Sequence, residues 1–336
     1  MDQISAHLDR GWDLVQKGDA ASAKGCAERA LAVDDRNPEA HHLLGFVAQI
    51  EGAFDEALEH FRHAIDLDEG YFEAMIHAAE ILIHPLGEFD DAIRMCDDAL
   101  DYAESDDEVA DCILLKVDAL LGKGDTNEAR RAMVMLPDGP FTNPGTTFLV
   151  GRAFYETGDI EKAAALIERA AIEDPQHADA QYYLGLVRDD RGDMRGASEA
   201  FLRARALDLL LAPLPWSPES EEFAAIVRTV FTKLDVLLAR FVREVDVFVV
   251  DLPGAEVVVD GLDPRALLLL DRPRTGPEET PTDRGRLFVY QRNVERSAGT
   301  LEDIEEHLQL AVEREITTVF LDQPNPEDHK HKHSLN

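Results

Sequence analysis

The sequence predicts an α-helical solenoid of stacked helix-turn-helix units followed by a small α+β domain, and three observations carry that reading. First, turn glycines recur at Gly18, Gly52, Gly87, Gly124, Gly158 and Gly192, each followed five residues on by Ala23, Ala57, Ala92, Ala129, Ala163 or Ala197. A period of about 34 residues with small residues at fixed phases marks stacked two-helix units, because neighbouring helices must approach closely. Second, the eighth position of each first helix is small in Gly11, Gly45, Ala79, Gly151 and Gly185, with Val117 in the fourth unit. Third, the texture changes near Leu209, where Pro213, Pro215 and Pro218 break the helical pattern and runs of β-branched residues follow.

Within each unit the second helix ends on Ala30, Ala64, Ala99, Ala170 or Ala204, with Leu136 in the fourth. Helix-stopping turns such as Asp34-Asp35-Arg36-Asn37-Pro38 and Asp174-Pro175-Gln176-His177 close the units. In length, register and turn chemistry this resembles the tetratricopeptide repeat (TPR) family over roughly residues 4 to 210, in about six repeats. The third unit carries an extra residue in Ile83-His84-Pro85-Leu86-Gly87, and Pro137 to Pro144 is rich in Pro and Gly. The fourth unit is therefore expected to be the most degenerate.

Residues 1–209 are assigned to the solenoid, 210–218 to a linker, 219–323 to the α+β domain and 324–336 to a polar, disordered tail. A helix is expected over Glu219 to Val242, with Phe223, Val227, Val230 and Leu234 on its apolar face. The β-branched run Val245 to Val250 predicts a strand. A loop region containing a short apolar run at Ala266 to Leu270 leads to a second strand at Arg286 to Tyr290. Thr300 is expected to cap a last helix reaching about Phe320, with Glu302 and Asp303 in its first turn.

Sixty-eight acidic against 33 basic residues give a formal charge of −35, which repels phosphate backbones and disfavours nucleic acid and anionic membrane as partners. The chain contains no apolar run of the length a membrane span needs, and Met1-Asp2-Gln3-Ile4-Ser5-Ala6-His7 lacks the basic and apolar segments of a secretory signal. A cytoplasmic, bacterial setting is expected. Cys26, Cys96 and Cys112 lie in repeat helices without metal-ligand spacing and read as small buried hydrophobes. No phosphate loop or nucleophile elbow is present, and no cofactor is implied.

The C-terminal region resembles a bacterial family of minimal zincin-like metallopeptidase domains. Its shared words are Glu221-Glu222-Phe223, Val250-Asp251-Leu252-Pro253, Leu262-Asp263-Pro264, Leu287-Phe288-Val289-Tyr290 leading to Arg292-Asn293, and Phe320-Leu321-Asp322. The resemblance implies His-Glu-x-x-His on the last helix, yet the matching stretch here is Arg314-Glu315-Ile316-Thr317-Thr318. Two histidines four apart converge on one zinc while the Glu polarises its water. Arg314 has no lone pair to donate and Thr318 offers a neutral hydroxyl, so Glu315 is left without a metal to serve.

His307, about two helix turns upstream, reads as a solvated helical histidine, and His329, His331 and His333 alternate with lysines in the tail. The domain thus reads as a pseudo-metallopeptidase, not an enzyme. Arg314 either lies solvated or turns into the former metal cleft to pair with an acid, Asp322 being nearest in sequence. The alternative, an active zinc metallopeptidase whose repeats recruit substrate, requires ligands the sequence does not show.

Function is then sought on the repeats. In the TPR family the second, fifth, ninth and twelfth positions of each first helix point inward. That phase selects Trp12 and Val15; Glu39, His42, Phe46 and Gln49; Glu73, Ile76, Glu80 and Ile83; Asp111, Leu114, Asp118 and Leu121; Phe148, Arg152 and Tyr155; and Asp179, Tyr182, Leu186 and Asp189. This face is acidic and aromatic, with Arg152 as its clear cation. Like charge disfavours a clamp for a partner's terminal carboxylate. A basic or amphipathic protein segment fits better, with aromatic anchors supplying area.

Overall fold

The chain divides into two compact units, Met1–Glu173 and Asp174–Asn336. The computed structural model describes residues 3–141, 143–236, 238–239, 245–271 and 285–320. Asp322 and the tail histidines lie outside the described residues.

The first unit is five helical hairpins: α1 (Gln3–Gln16) with α2 (Ala20–Leu31), α3 (Pro38–Ile50) with α4 (Phe54–Leu67), α5 (Phe72–Ile83) with α6 (Phe89–Leu100), α7 (Asp106–Gly122) with α8 (Thr126–Ala132), and α9 (Pro144–Glu156) with α10 (Ile160–Glu173). All six turn glycines have φ between 68° and 88°, the left-handed region where a Cβ is strained. The small eighth positions lie where the paired helices cross. A Cβ on Gly45 would stand 2.6 Å from the Phe61 ring and 3.1 Å from the Ala57 carbonyl oxygen. Phe61 is fully buried and has nowhere to move. Gly45→Ala is therefore expected to destabilise the first unit by about 1–3 kcal/mol through overpacking, measurable as a lowered urea midpoint.

The fourth hairpin is the irregular one. Its second helix, α8, runs seven residues and passes into a tight 3₁₀ turn at Met133–Met135. The acidic run Glu104-Ser105-Asp106-Asp107-Glu108 at the start of α7 has a structural job. Ser105 Oγ accepts from Glu108 N at 3.2 Å, and Glu108 Oε2 accepts from Ser105 N at 3.1 Å, so the run closes a capping box.

The second unit begins with a sixth hairpin, α11 (Ala178–Asp190) and α12 (Met194–Asp208), followed by α13 (Ser220–Lys233), β1 (Val245–Val250), α14 (Ala255–Val259), β2 (Leu268–Asp271), β3 (Gly285–Tyr290), α15 (Gln291–Ala298) and α16 (Ile304–Phe320). The sheet order is β1-β3-β2, with β1 parallel and β2 antiparallel to β3. Asp271 and Arg286 face each other across that antiparallel pair at 2.5 Å. Phe223, Val227 and Val230 of α13, Leu287 and Val289 of β3, and the i,i+4 stripe Ile304, Leu308, Val312 and Ile316 of α16 fill one core.

Four expectations are corrected. The helix expected to run to Val242 is broken after Lys233, where Leu234 takes extended backbone (φ −59°, ψ 145°), and Val236, Leu238 and Ala239 are helical again beyond the break. The apolar run Ala266 to Leu270, placed in a loop region, supplies three of the four residues of strand β2. Helix α15 was not foreseen, because its buried residues include Gln291, Asn293 and Glu295, which apolar periodicity cannot detect. The last helix begins at Ile304, although Thr300 Oγ1 does accept from Asp303 N at 3.3 Å just before it.

Segment 210–218, expected as a linker, is bound at both ends by α15. Arg292 Nη1 donates to the carbonyls of Asp208, Leu209 and Leu211 at 3.3, 3.5 and 3.0 Å, satisfying acceptors that the end of α12 leaves open. Gln291 Nε2 donates to the Pro218 carbonyl at 2.8 Å, and Ser217 Oγ donates to Glu295 at 2.7 Å.

Candidate partner-binding face

In the first unit the selected residues divide into a buried floor and an accessible set. His42 and Phe148 are only 5% and 4% exposed, so they support the face without offering a side chain to a partner. Leu114 and Ile83 are likewise buried. Trp12, Phe46, Gln49, Ile76, Glu80, Asp118, Arg152 and Tyr155 are half-buried.

His42 organises the aromatic end. Its Nδ1 lies 2.9 Å from the Tyr71 hydroxyl and its Nε2 2.8 Å from His77 Nδ1. Trp12 packs on it at 5.2 Å, Phe46 packs edge-on to Trp12 at 5.7 Å, and Trp12 Nε1 donates to Glu39 at 3.1 Å. Burial, with His77 beside it, pushes the His42 imidazole down to about 3. Burial likewise lowers His77 and raises the Tyr71 hydroxyl. Tyr71 and His77 escaped the sequence reading because neither occupies an inward phase.

The carboxylates fall into two kinds. Asp118 accepts two hydrogen bonds from Arg152, at 2.7 and 3.0 Å, and Arg152 Nε lies 3.7 Å from Glu156. The clear cation of this face is thus engaged within the unit. Glu80 and Asp111 carry no ion pair among the described residues. Burial first, then Asp111, raises Glu80; burial first, then Asp107 and Glu108, raises Asp111. Gln49 Oε1 is buried without a hydrogen-bond donor among the described residues. Cys96 and Cys112 are fully buried and their thiols are pushed up to about 12, chiefly by burial, which suits packing and not redox chemistry.

In the second unit the inward positions are used differently. The Tyr182 hydroxyl donates to Asp263 at 3.0 Å, and the Arg265 guanidinium lies 4.3 Å from the centre of the Tyr182 ring. Arg265 also pairs with Asp179 at 2.6 Å and with Asp208 at 3.3 Å. Asp208, 2% exposed, is paired with Arg296 as well, at 2.8 Å. Burial alone would raise the Asp179 carboxyl, but Arg265, with His177 and Arg296, holds it below its ordinary value. Asp189 is half-buried on the same helix.

These inward-facing positions belong to units of a known kind. Residues 8–72 and 149–208 match one tetratricopeptide repeat family, and residues 48–111 match a second. The helical hairpins within these matches are tetratricopeptide repeats. The stretch between 111 and 149, which holds the shortened α8, lies outside all of these TPR matches. No curated protein sequence matches the chain. Among solved structures the fold is similar to PilF of Pseudomonas aeruginosa, at 18% identity and a TM-score of 0.51 over 66% of this chain and 97% of that one. It is similar to PilW, described as a widely conserved type IV pilus biogenesis factor, at 18% identity and 0.50 over 60% and 92%. It is also similar to the Cut9–Hcn1 hetero-tetramer of the APC/C, at 14% identity and 0.51 over 62% and 41%. At these identities the likeness shows the TPR fold alone.

The degenerate metal motif lies on α16. Arg314 and Thr318 are exposed, and Glu315 is half-buried with its Oε1 3.5 Å from Leu270 N. The helix buries the 304-308-312-316 stripe and Arg314 lies off it, while Asp322, the acid nearest to it in sequence, lies outside the described residues. The residues do not fit zinc: Arg314 and Thr318 supply no imidazole, and no group of three His, Cys, Asp or Glu with metal-holding geometry occurs among the described residues. No helix among the described residues is long and apolar enough to cross a membrane.

Proposed function

We propose that this protein is a non-catalytic TPR scaffold whose first unit receives a basic or amphipathic segment of a partner protein. TPR domains bind protein and peptide partners, and what points to a basic one here is the Glu80 and Asp111 pair. Both carboxylates are half-buried, both are raised by burial and by neighbouring acids, and neither has a cation among the described residues. Ionised acids held together in this way gain most from an incoming ammonium or guanidinium. Phe46 and Ile76, both half-buried at inward positions, supply apolar area. The C-terminal region, in this reading, is a zincin-like fold whose metal chemistry has been lost and whose role is structural.

The test is selection of binding peptides from a random array by the full chain. Selected peptides should be enriched in Lys and Arg, and binding should weaken as salt rises. Reversing Glu80 and Asp111 to lysine should slow association by about tenfold. Asp118, already committed to Arg152, is the poorer choice for reversal. Enrichment of acidic peptides, or salt-independent binding that survives both reversals, would overturn the proposal.

A further inference from the structure

The Arg265 side chain is only 14% exposed, and its guanidinium is held by the Asp179 carboxylate on one side and the Tyr182 ring on another, 2.6 Å and 4.3 Å away. Asp263 fixes the approach. One of its oxygens accepts from Arg265 N at 2.7 Å and the other from the Tyr182 hydroxyl at 3.0 Å. Asp179 and Tyr182 are the second and fifth positions of the last repeat's first helix, the phases through which a TPR unit meets a partner. A carboxylate paired with an aromatic face is a receptor for a planar cation.

We infer that the Asp263–Arg265 turn is an internal ligand of the last repeat, occupying the subsite that a basic side chain of a partner takes once the turn is displaced. This deepens the basic-partner reading above and rests on it. Two features make the contact displaceable. Asp179 keeps 53% of its side chain exposed, so its bond to Arg265 sits at the rim, where exchange with solvent and with another cation is easy. Asp208, which is buried, retains Arg296 at 2.8 and 3.0 Å. Departure of Arg265 therefore leaves no carboxylate both buried and unpaired, the situation that would make release prohibitive. The α+β region thereby regulates how much of the acidic TPR surface a partner reaches.

The experiment titrates the full chain with a fluorescein-labelled peptide of alternating arginine and leucine and reads affinity and stoichiometry. Arg265→Ala should tighten binding by about tenfold or add a second bound peptide, and Tyr182→Ala introduced beside it should abolish the gain. Asp263→Ala, which loosens the turn and leaves every arginine in place, should give a smaller gain in the same direction, and it decides the matter if Arg265→Ala does not fold. Binding by the unaltered chain with no gain in either variant overturns the internal ligand alone. So does a gain that persists without Tyr182, since that would report only the changed net charge. Binding by none of the proteins overturns the basic-partner reading and this inference together.

Discussion

Asp208→Ala is expected to cost the second unit about 3–5 kcal/mol, the loss that follows when one member of a buried ion network is removed. Asp208 is the last residue of α12, where the helix dipole disfavours a negative charge, so its place there needs another cause. Arg265 and Arg296 supply it: each reaches the buried carboxylate, at 3.3 and 2.8 Å, from a different part of the α+β region. Deleting the carboxylate leaves Arg265, whose side chain is 14% exposed, with Asp179 as its remaining ion-pair partner among the described residues. It also removes part of the joint between the last repeat and that region. Asp208→Asn keeps one acceptor oxygen and should lose less. Urea unfolding read by Trp216 fluorescence in a Trp12→Phe background isolates this unit, because the chain has two tryptophans and Trp216 packs on the second-unit core. A loss below about 1 kcal/mol would place the network with ordinary surface pairs.

That joint also shows where sequence reasoning reached its limit. The repeats were legible because their signals are local: a left-handed glycine after each first helix and a small residue at each crossing. The α+β region was legible only where apolar patterning shaped it, at β1, β3 and the stripe of α16. Strand β2 is a run of leucines, a residue as content in a helix as in a strand. Helix α15 buries two amides that donate to the carbonyls of Pro218, Pro264 and Ala266, and a carboxylate that accepts from Ser217. Such long-range polar contacts leave no period in a sequence. The inward-facing phases could not tell floor from surface. His42 and Phe148 went to the floor, and Asp118 to Arg152. The Leu262-Asp263-Pro264 turn was noticed as a family word, while Arg265, the next residue, carries the contact that matters.

Acid should weaken the first unit through His42. Its folded-state value, about 3, lies below the 6.5 of an ordinary imidazole, so between those limits the unfolded chain binds the proton first. Stability from this group is complete above pH 6.5 and is lost as pH falls toward 3, by about 3–5 kcal/mol in total. The groups around it account for the size of the effect. Tyr71 and His77 are satisfied by a neutral ring, and His77, itself lowered by burial, resists a second positive charge nearby. Glu73 acts on His77 in the opposite direction. Glu80 and Asp111 work against the trend, because their raised folded-state values mean that protonation in acid relieves their repulsion and returns some stability. His42→Gln keeps hydrogen-bonding capacity without a titrating proton, so its stability between pH 7 and 4 should fall less steeply than that of the unaltered chain. Trp12, 5.2 Å from His42, reports the transition by fluorescence once Trp216 is replaced by phenylalanine. Equal slopes for the two proteins would mean that His42 is already charged in the folded state and that the Tyr71-His42-His77 chain is held by something other than a buried neutral imidazole.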